Sequence, residues 1–165
     1  MKKIFTGVML AGLIGLTTAC FKDTKTVFDG VKFVEFESAV RLSPAVGATF
    51  PIISVKRTDP SIMAVINLVG SQLKATETMK ISIDTAIAPF LNATTIRGVE
   101  GKHFSLNGGS FTFKTDTSFN VLRLPIPTQA ADKGKSALFV LKLDGSDGIK
   151  PSENYRRVGY RIALD

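Results

Sequence analysis

Between residues 158 and 164 the chain places an apolar side chain at every second position. Val158, Tyr160, Ile162 and Leu164 alternate with Gly159, Arg161 and Ala163. Successive side chains on an extended backbone point to opposite sides, so this period of two describes a strand with one face inward and one face wet. The same alternation, or an apolar run of strand length, recurs at residues 31–36, 50–55, 62–69, 79–83, 110–113, 119–126 and 138–143. No long helical period interrupts the series. The pattern predicts an all-β fold.

Turn chemistry separates the runs. Asn107-Gly108-Gly109 lies between His103-Phe104 and Phe111-Thr112-Phe113, where the glycines supply the positive φ of a tight reversal. Residues 114–118 are polar and join two Phe-bearing runs, and Asp144-Gly145-Ser146-Asp147-Gly148 breaks the chain before the last strand. Residues 87–95 hold an apolar group without a clean period, consistent with either a loop or a short helical turn. Short strands at this spacing predict a two-sheet antiparallel sandwich, occupying residues 31–165 as one domain.

The first twenty residues follow a different logic. Met1-Lys2-Lys3 precedes a nearly uncharged apolar stretch over 4–16, then Thr17-Thr18-Ala19-Cys20. A basic start, a short apolar core and small residues before a cut make a secretory signal, here residues 1–19. The apolar stretch is too short to span a bilayer comfortably, which takes about 20 residues. Thr18-Ala19-Cys20 resembles the lipobox of bacterial lipoproteins, with Thr17 where a leucine is usual. The alternative is an ordinary signal with a cysteine near its end. Cys20 is the one cysteine of the chain, so no disulfide accounts for it. The reading adopted is acylation of Cys20, a polar tether over 20–30, and a bilayer as partner. Two or more acyl chains anchor stably where one does not. Asp does not follow Cys20, which favours the outer membrane, with the cell surface and the periplasmic side as the two faces open to it.

Charge narrows the partners further. Lys plus Arg number 21 against 14 Asp plus Glu, and losing Lys2 and Lys3 with the signal takes the formal charge from +7 to +5. The basic residues are scattered over many segments, without the stripe or aromatic interleaving of a nucleic-acid binder. No nucleic acid is expected.

From residue 67 onward the order of features resembles a known family. Asn67-Leu68-Val69-Gly70 precedes Lys80-Ile81-Ser82-Ile83-Asp84. Gly101-Lys102-His103-Phe104, Ser110-Phe111-Thr112-Phe113, the Leu122-Leu124-Ile126 run, Leu141-Lys142-Leu143 and Pro151-Ser152-Glu153-Asn154-Tyr155 follow. This resembles lipoproteins of unknown function found in Bacteroidetes beside SusC/SusD-type nutrient uptake systems. More loosely, it resembles the Calx-beta type of immunoglobulin-like sandwich. The resemblance implies that sandwich as the fold, and a TonB-dependent transporter with a SusD-like protein, or a polysaccharide, as partner. Calcium-binding Calx-beta domains cluster acids in loops at one end. The matching stretch here, residues 128–135, has the single acid Asp132 beside Lys133 and Lys135. Calcium needs several oxygen ligands with enough negative charge, so no metal is expected.

Catalytic chemistry is thinly supplied. His103 is the lone histidine, and it reads as a structural imidazole at a strand start rather than a general base. Glu35 and Glu37, two residues apart, read as one wet strand face. No cofactor and no catalytic residue is expected, and the chain is not predicted to be an enzyme. For binding, Tyr155 with Arg156 and Arg157 forms a candidate ligand contact; the alternative for Tyr155 is closing the end of the sandwich. Tyr160 reads as core, as do most Phe residues. Asp84-Thr85-Ala86 resembles the O-glycosylation motif of some Bacteroidetes exported proteins, which makes Thr85 a candidate acceptor. The function expected is a membrane-anchored accessory or ligand-binding module of an outer-membrane glycan or peptide uptake system. The alternative is a structural or adhesive surface module.

Overall fold

The computed structural model describes residues 30–127 and 132–164. Signal, lipobox and Cys20 lie outside the described residues. Each strand-length run named above contains a strand. In chain order the elements are β1 (Phe33–Phe36), α1 (Glu37–Arg41), β2 (Ile52–Lys56), β3 (Ser61–Val69), β4 (Glu77–Asp84), β5 (Thr95–Arg97), β6 (Ser110–Phe113), β7 (Phe119–Pro125), β8 (Ser136–Gly145), β9 (Lys150–Pro151) and β10 (Arg157–Ala163). A single 3₁₀ turn at Ala88–Phe90 resolves the ambiguity over 87–95 as a short helical turn.

Among the described residues the strands form two packed sheets. One has four strands in the order β7-β3-β1-β9; the other has six, in the order β2-β10-β8-β4-β6 with β5 also on β8. The sandwich expected from the sequence is present, with one difference in its pairing. Most neighbours are antiparallel, but β1 with β9, β2 with β10 and β5 with β8 run parallel, so both sheets are mixed. The β2–β10 pairing follows from the path of the N-terminal third. After β1 the chain leaves the four-stranded sheet through α1, crosses to the other edge and lays β2 beside β10. It then returns to make β3.

The inward faces follow the alternation. Val34 and Phe36, the Ile62-Ala64-Ile66-Leu68 set and Leu122 and Leu124 meet Met79, Ile81, Phe139, Leu141, Leu143, Val158, Tyr160 and Ile162 in one core. Phe104 stacks on Phe139 at 3.7 Å between ring centroids, and Tyr160 closes on Phe139 at 5.7 Å. Burial raises the Tyr160 phenol well above its usual pKa, against a weaker opposing hydrogen bond with Ser38.

A second, smaller cluster lies on the outer face of the six-stranded sheet, where Phe50 and Ile87 cover Val140. This explains why β8 is buried on both faces. Gly159 is needed here, because a Cβ would come within 2.9 Å of Ile52 Cγ1 and 3.5 Å of the Phe50 ring. Most of the described Phe residues are core, as expected, with Phe119, 61% exposed, as an exception.

Candidate functional site

Glu37 departs from the wet-strand reading. It opens α1, where its carboxylate meets Arg41 one turn later at 2.9 Å, a pairing that suits helix spacing and not strand spacing. Ala39 is the buried residue of this turn. The turn ends when Leu42 becomes extended and its N–H donates to the Ser38 carbonyl. On the other side of β1, the Phe36 N–H donates to the Tyr155 carbonyl at 3.0 Å, which docks the 152–156 loop against α1. The Gly159 N–H donates to the Pro51 carbonyl at 2.8 Å, fixing the crossing segment beneath the same loop.

These three pieces enclose a groove of about 720 Å³, within the usual range for a small-ligand site. One wall is apolar, from Val40, Leu42, Pro44 and Pro51; the other carries Glu153, Asn154, Tyr155, Arg156 and Arg157. Val40, Leu42 and Tyr155 remain substantially exposed. The arrangement offers an aromatic ring and aliphatic surface facing amide, carboxylate and guanidinium groups. It suits a ligand with both apolar faces and hydroxyl or amide edges, such as a sugar chain or a peptide.

The structure brings Tyr155, Arg156 and Arg157 together, but not in equal roles. Tyr155 is exposed on the rim. Arg157 Nε lies 3.0 Å from Asp84 Oδ2, close enough for an ion pair though outside hydrogen-bond alignment, so much of its charge is committed across the sheet. Arg156 Nε is buried without a hydrogen-bond partner. Its charge acts on Asp144. Burial works against that carboxylate, yet hydrogen bonds from Ser82 and Lys142, with the charges of Lys142 and Arg156, hold its pKa below the usual value. Thr85 is exposed in a turn made by Asp84 Oδ1 accepting the Ala86 N–H at 2.9 Å. Sequence reasoning missed the apolar wall. The Glu37–Arg41 spacing was the signal available for it, with Pro44 and Gly47 marking the loop beyond.

His103 sits in a turn rather than at a strand start, and is buried. Its Nδ1 accepts the Val99 N–H at 2.9 Å, which places the ring proton on Nε2, 3.2 Å from Asp132 Oδ2. Asp132 also holds the Lys102 ammonium at 2.6 Å. Burial lowers the His103 pKa, outweighing the hydrogen bond with Asp132. Both nitrogens are engaged by the protein itself, so the ring has no free site for a substrate proton. Asp132, the acid of the loop matched to calcium-binding loops, is occupied by these two partners; residues 128–131 lie outside the described residues. Among the described residues no cluster of three metal-ligating side chains occurs, and no helix is long and apolar enough to cross a membrane.

No family model and no curated protein matches the chain. Solved structures do. The apo form of the Calx CBD1 domain aligns at 12% identity and TM-score 0.55, over 82% of this chain and 98% of that one. A two-domain protein of unknown function from Bacteroides fragilis aligns at 7% identity and TM-score 0.59, over 82% of this chain and 46% of that one. A putative carbohydrate binding protein from Bacteroides ovatus aligns at 10% identity and TM-score 0.52, over 80% of this chain and 37% of that one. The chain spans less than half the length of these two Bacteroides proteins. At such identities the likeness is one of fold. The chain has a Calx-beta-like β-sandwich fold, shared with Bacteroides proteins of unknown function.

Proposed function

We propose that this protein is a non-enzymatic binding module, anchored to the outer membrane through acylated Cys20. It holds a glycan or peptide ligand in the groove beside α1 for a nutrient uptake system built on a TonB-dependent transporter and a SusD-like partner. The observation that carries the binding reading is the groove itself, with an exposed Tyr155 facing the apolar Val40–Leu42 wall and polar groups within reach. An aromatic ring supplies a large rigid contact at low entropic cost, while its hydroxyl still bonds to a polar ligand. The fold is also that of a neighbour described as a putative carbohydrate binding protein. The anchor reading comes from the lone cysteine after an apolar signal.

The test uses the detergent-solubilised full chain in affinity electrophoresis through gels containing single polysaccharides. Retardation by at least one polysaccharide is expected, and Tyr155→Ala should weaken it about fivefold, about 1 kcal/mol, for the loss of an aromatic contact that stays partly exposed. If no polysaccharide retards it, and purification from native membranes brings down neither a transporter nor a bound peptide, the uptake reading fails.

A further inference from the structure

β3 has a sequence that asks for cover on both sides. Ile62, Ala64, Ile66 and Leu68 fill the core, but Met63, Val65 and Val69 on the opposite face are apolar as well. A near-continuous apolar strand is the pattern of an element buried on two faces. β8 has that pattern and receives cover on both sides. In β3 the second face stays largely exposed, with Glu37 and Arg41 of α1 and the following Leu42 flanking it at Met63 and Val65. Register extends this face across the sheet: Val121 lies beside Val65, Phe119 beside Asn67, and Phe33 beside Val69. Met63 is 57% exposed and Phe119 61%. Met63, Val65, Val121 and Phe119 cluster on this face, with Phe33 and Val69 beyond the Glu35–Asn67 row, and an exposed apolar cluster marks a contact site.

Charge and chain path identify the partner. Arg123 lies beside Met63 at one end of the face, and Lys150 beside Phe33 at the other. Among the described residues, Glu35 is the one acid on these strand rows, next to Asn67, and burial raises its pKa, so it is neutralised more readily than an ordinary carboxylate; Glu37, on α1 beside Met63 and Val65, is paired with Arg41 at 2.9 Å. The chain reaches Phe33 from the proposed anchor through residues 20–32. Fully extended, that stretch covers at most about 45 Å, so the domain stays close to the bilayer and the tether enters at the border of this face. Basic corners around an apolar centre complement an anionic lipid surface.

We infer that the outer face of the four-stranded sheet, centred on Met63, Val65, Phe119 and Val121, docks flat on an anionic lipid surface and so orients the anchored domain. This rests on the acylation of Cys20 proposed above.

The chain contains no tryptophan, so one introduced residue is a unique reporter. The full chain, acylated in a bacterial host, is reconstituted into vesicles of phosphatidylethanolamine and phosphatidylglycerol with brominated acyl chains. Acylation is read separately by palmitate labelling. In Phe119→Trp, emission should shift to the blue and fall roughly twofold on contact with the brominated chains, as an interfacial depth of about 5–10 Å predicts. Ser54→Trp, on the exposed outer side of β2 in the other sheet, should be unaffected. Adding Met63→Asp and Val121→Asp to Phe119→Trp should abolish the quenching while the urea midpoint holds. Labelled protein whose reporter at position 119 is unquenched overturns the docking face and leaves the anchor standing. A shift that follows protein concentration rather than lipid also overturns it, in favour of a second copy. Unlabelled protein overturns the anchor, and this inference with it.

Discussion

The two sheets treat their outer faces in opposite ways. On the six-stranded sheet, the crossing segment and the 3₁₀ turn lay Phe50, Ile87 and Phe90 over Val140, and charges further along pair with one another, Arg157 with Asp84 across strands and Lys142 with Asp144 along β8. On the four-stranded sheet, Met63, Phe119 and Val121 stay exposed, with α1 alongside Met63 and Val65. The same kind of apolar strand, β8 in one sheet and β3 in the other, thus ends in two different environments. Strand sequence reports how much cover a strand is suited to; the connections decide how much of it the chain itself supplies.

The sharpest way to break this comparison is to remove one large ring from each face. Phe50 is almost fully buried and packs edge-to-face on Phe90 at 5.9 Å. Phe50→Ala should cost about 3 kcal/mol, the lower end for a buried Phe, because the cover over Val140 can partly collapse. Phe119→Ala should change stability by no more than about 0.5 kcal/mol. Urea unfolding of both variants measures the difference. Equal losses would mean that the exposed face contributes to folding as the covered one does, and that the two sheets do not differ in this respect.

This difference also accounts for what could be read in the sequence. The eight strand-length runs were legible because each keeps one apolar face over several residues, and residues 158–164 placed Tyr160 in the core correctly. β5 and β9 were not legible: three and two residues are too few to display a period. The five-residue α1 was hidden by the alternation running up to Phe36, which carried Glu37 along as a strand residue. Parallel pairing was hidden for another reason. β2 joins β10 in register from Gly159 opposite Ile52 to Ala163 opposite Lys56, a contact between distant parts of the chain that no local pattern encodes. The same distance conceals the groove. Tyr155, Arg156 and Arg157 stand out as a local cluster, but the wall they face comes from Val40 to Pro51 and exists only once the chain has crossed between sheets. Arg157 shows the converse limit, since its partner Asp84 lies on β4 and nothing near it in sequence announces the pairing.

A pH experiment sharpens the comparison by probing the interior between the sheets. His103 and Asp132 join the loop after β5 to the one that carries the chain from β7 to β8, that is, from one sheet to the other. The folded His103 pKa lies below 6.5, with burial as the main cause. The unfolded chain therefore binds more protons than the folded one as pH falls past 6.5, and stability declines with it. The full contribution is present above that value. Asp132 is held below 3.8, chiefly by its hydrogen bond from Lys102, so its loss belongs to a separate, more acidic window. His103→Leu should flatten the first decline while lowering stability throughout, by about 1–3 kcal/mol, because the Val99 N–H loses its acceptor. Thermal unfolding across pH for both proteins separates the two effects. An undiminished decline in the variant would assign it to other groups.

The smallest effect concerns the polar part of the covered sheet. Arg157 and Asp84 bridge β10 and β4 across β8, with side chains 32% and 14% exposed and Nε 3.0 Å from Oδ2. Two effects of burial oppose each other. Partial burial reduces screening by water and strengthens the attraction, but the same burial charges each ion for lost hydration, and the contact lacks hydrogen-bond alignment. Asp84 also caps its own turn by accepting the Ala86 N–H, a bond that an asparagine side-chain oxygen can keep. Asp84→Asn therefore isolates the charge, and its cost should be no more than about 1 kcal/mol, the range of partly exposed pairs. High salt should shrink the difference from wild type in urea unfolding. A loss as large as that for Phe50→Ala would show that charge pairing, rather than apolar cover, is what holds this face in place.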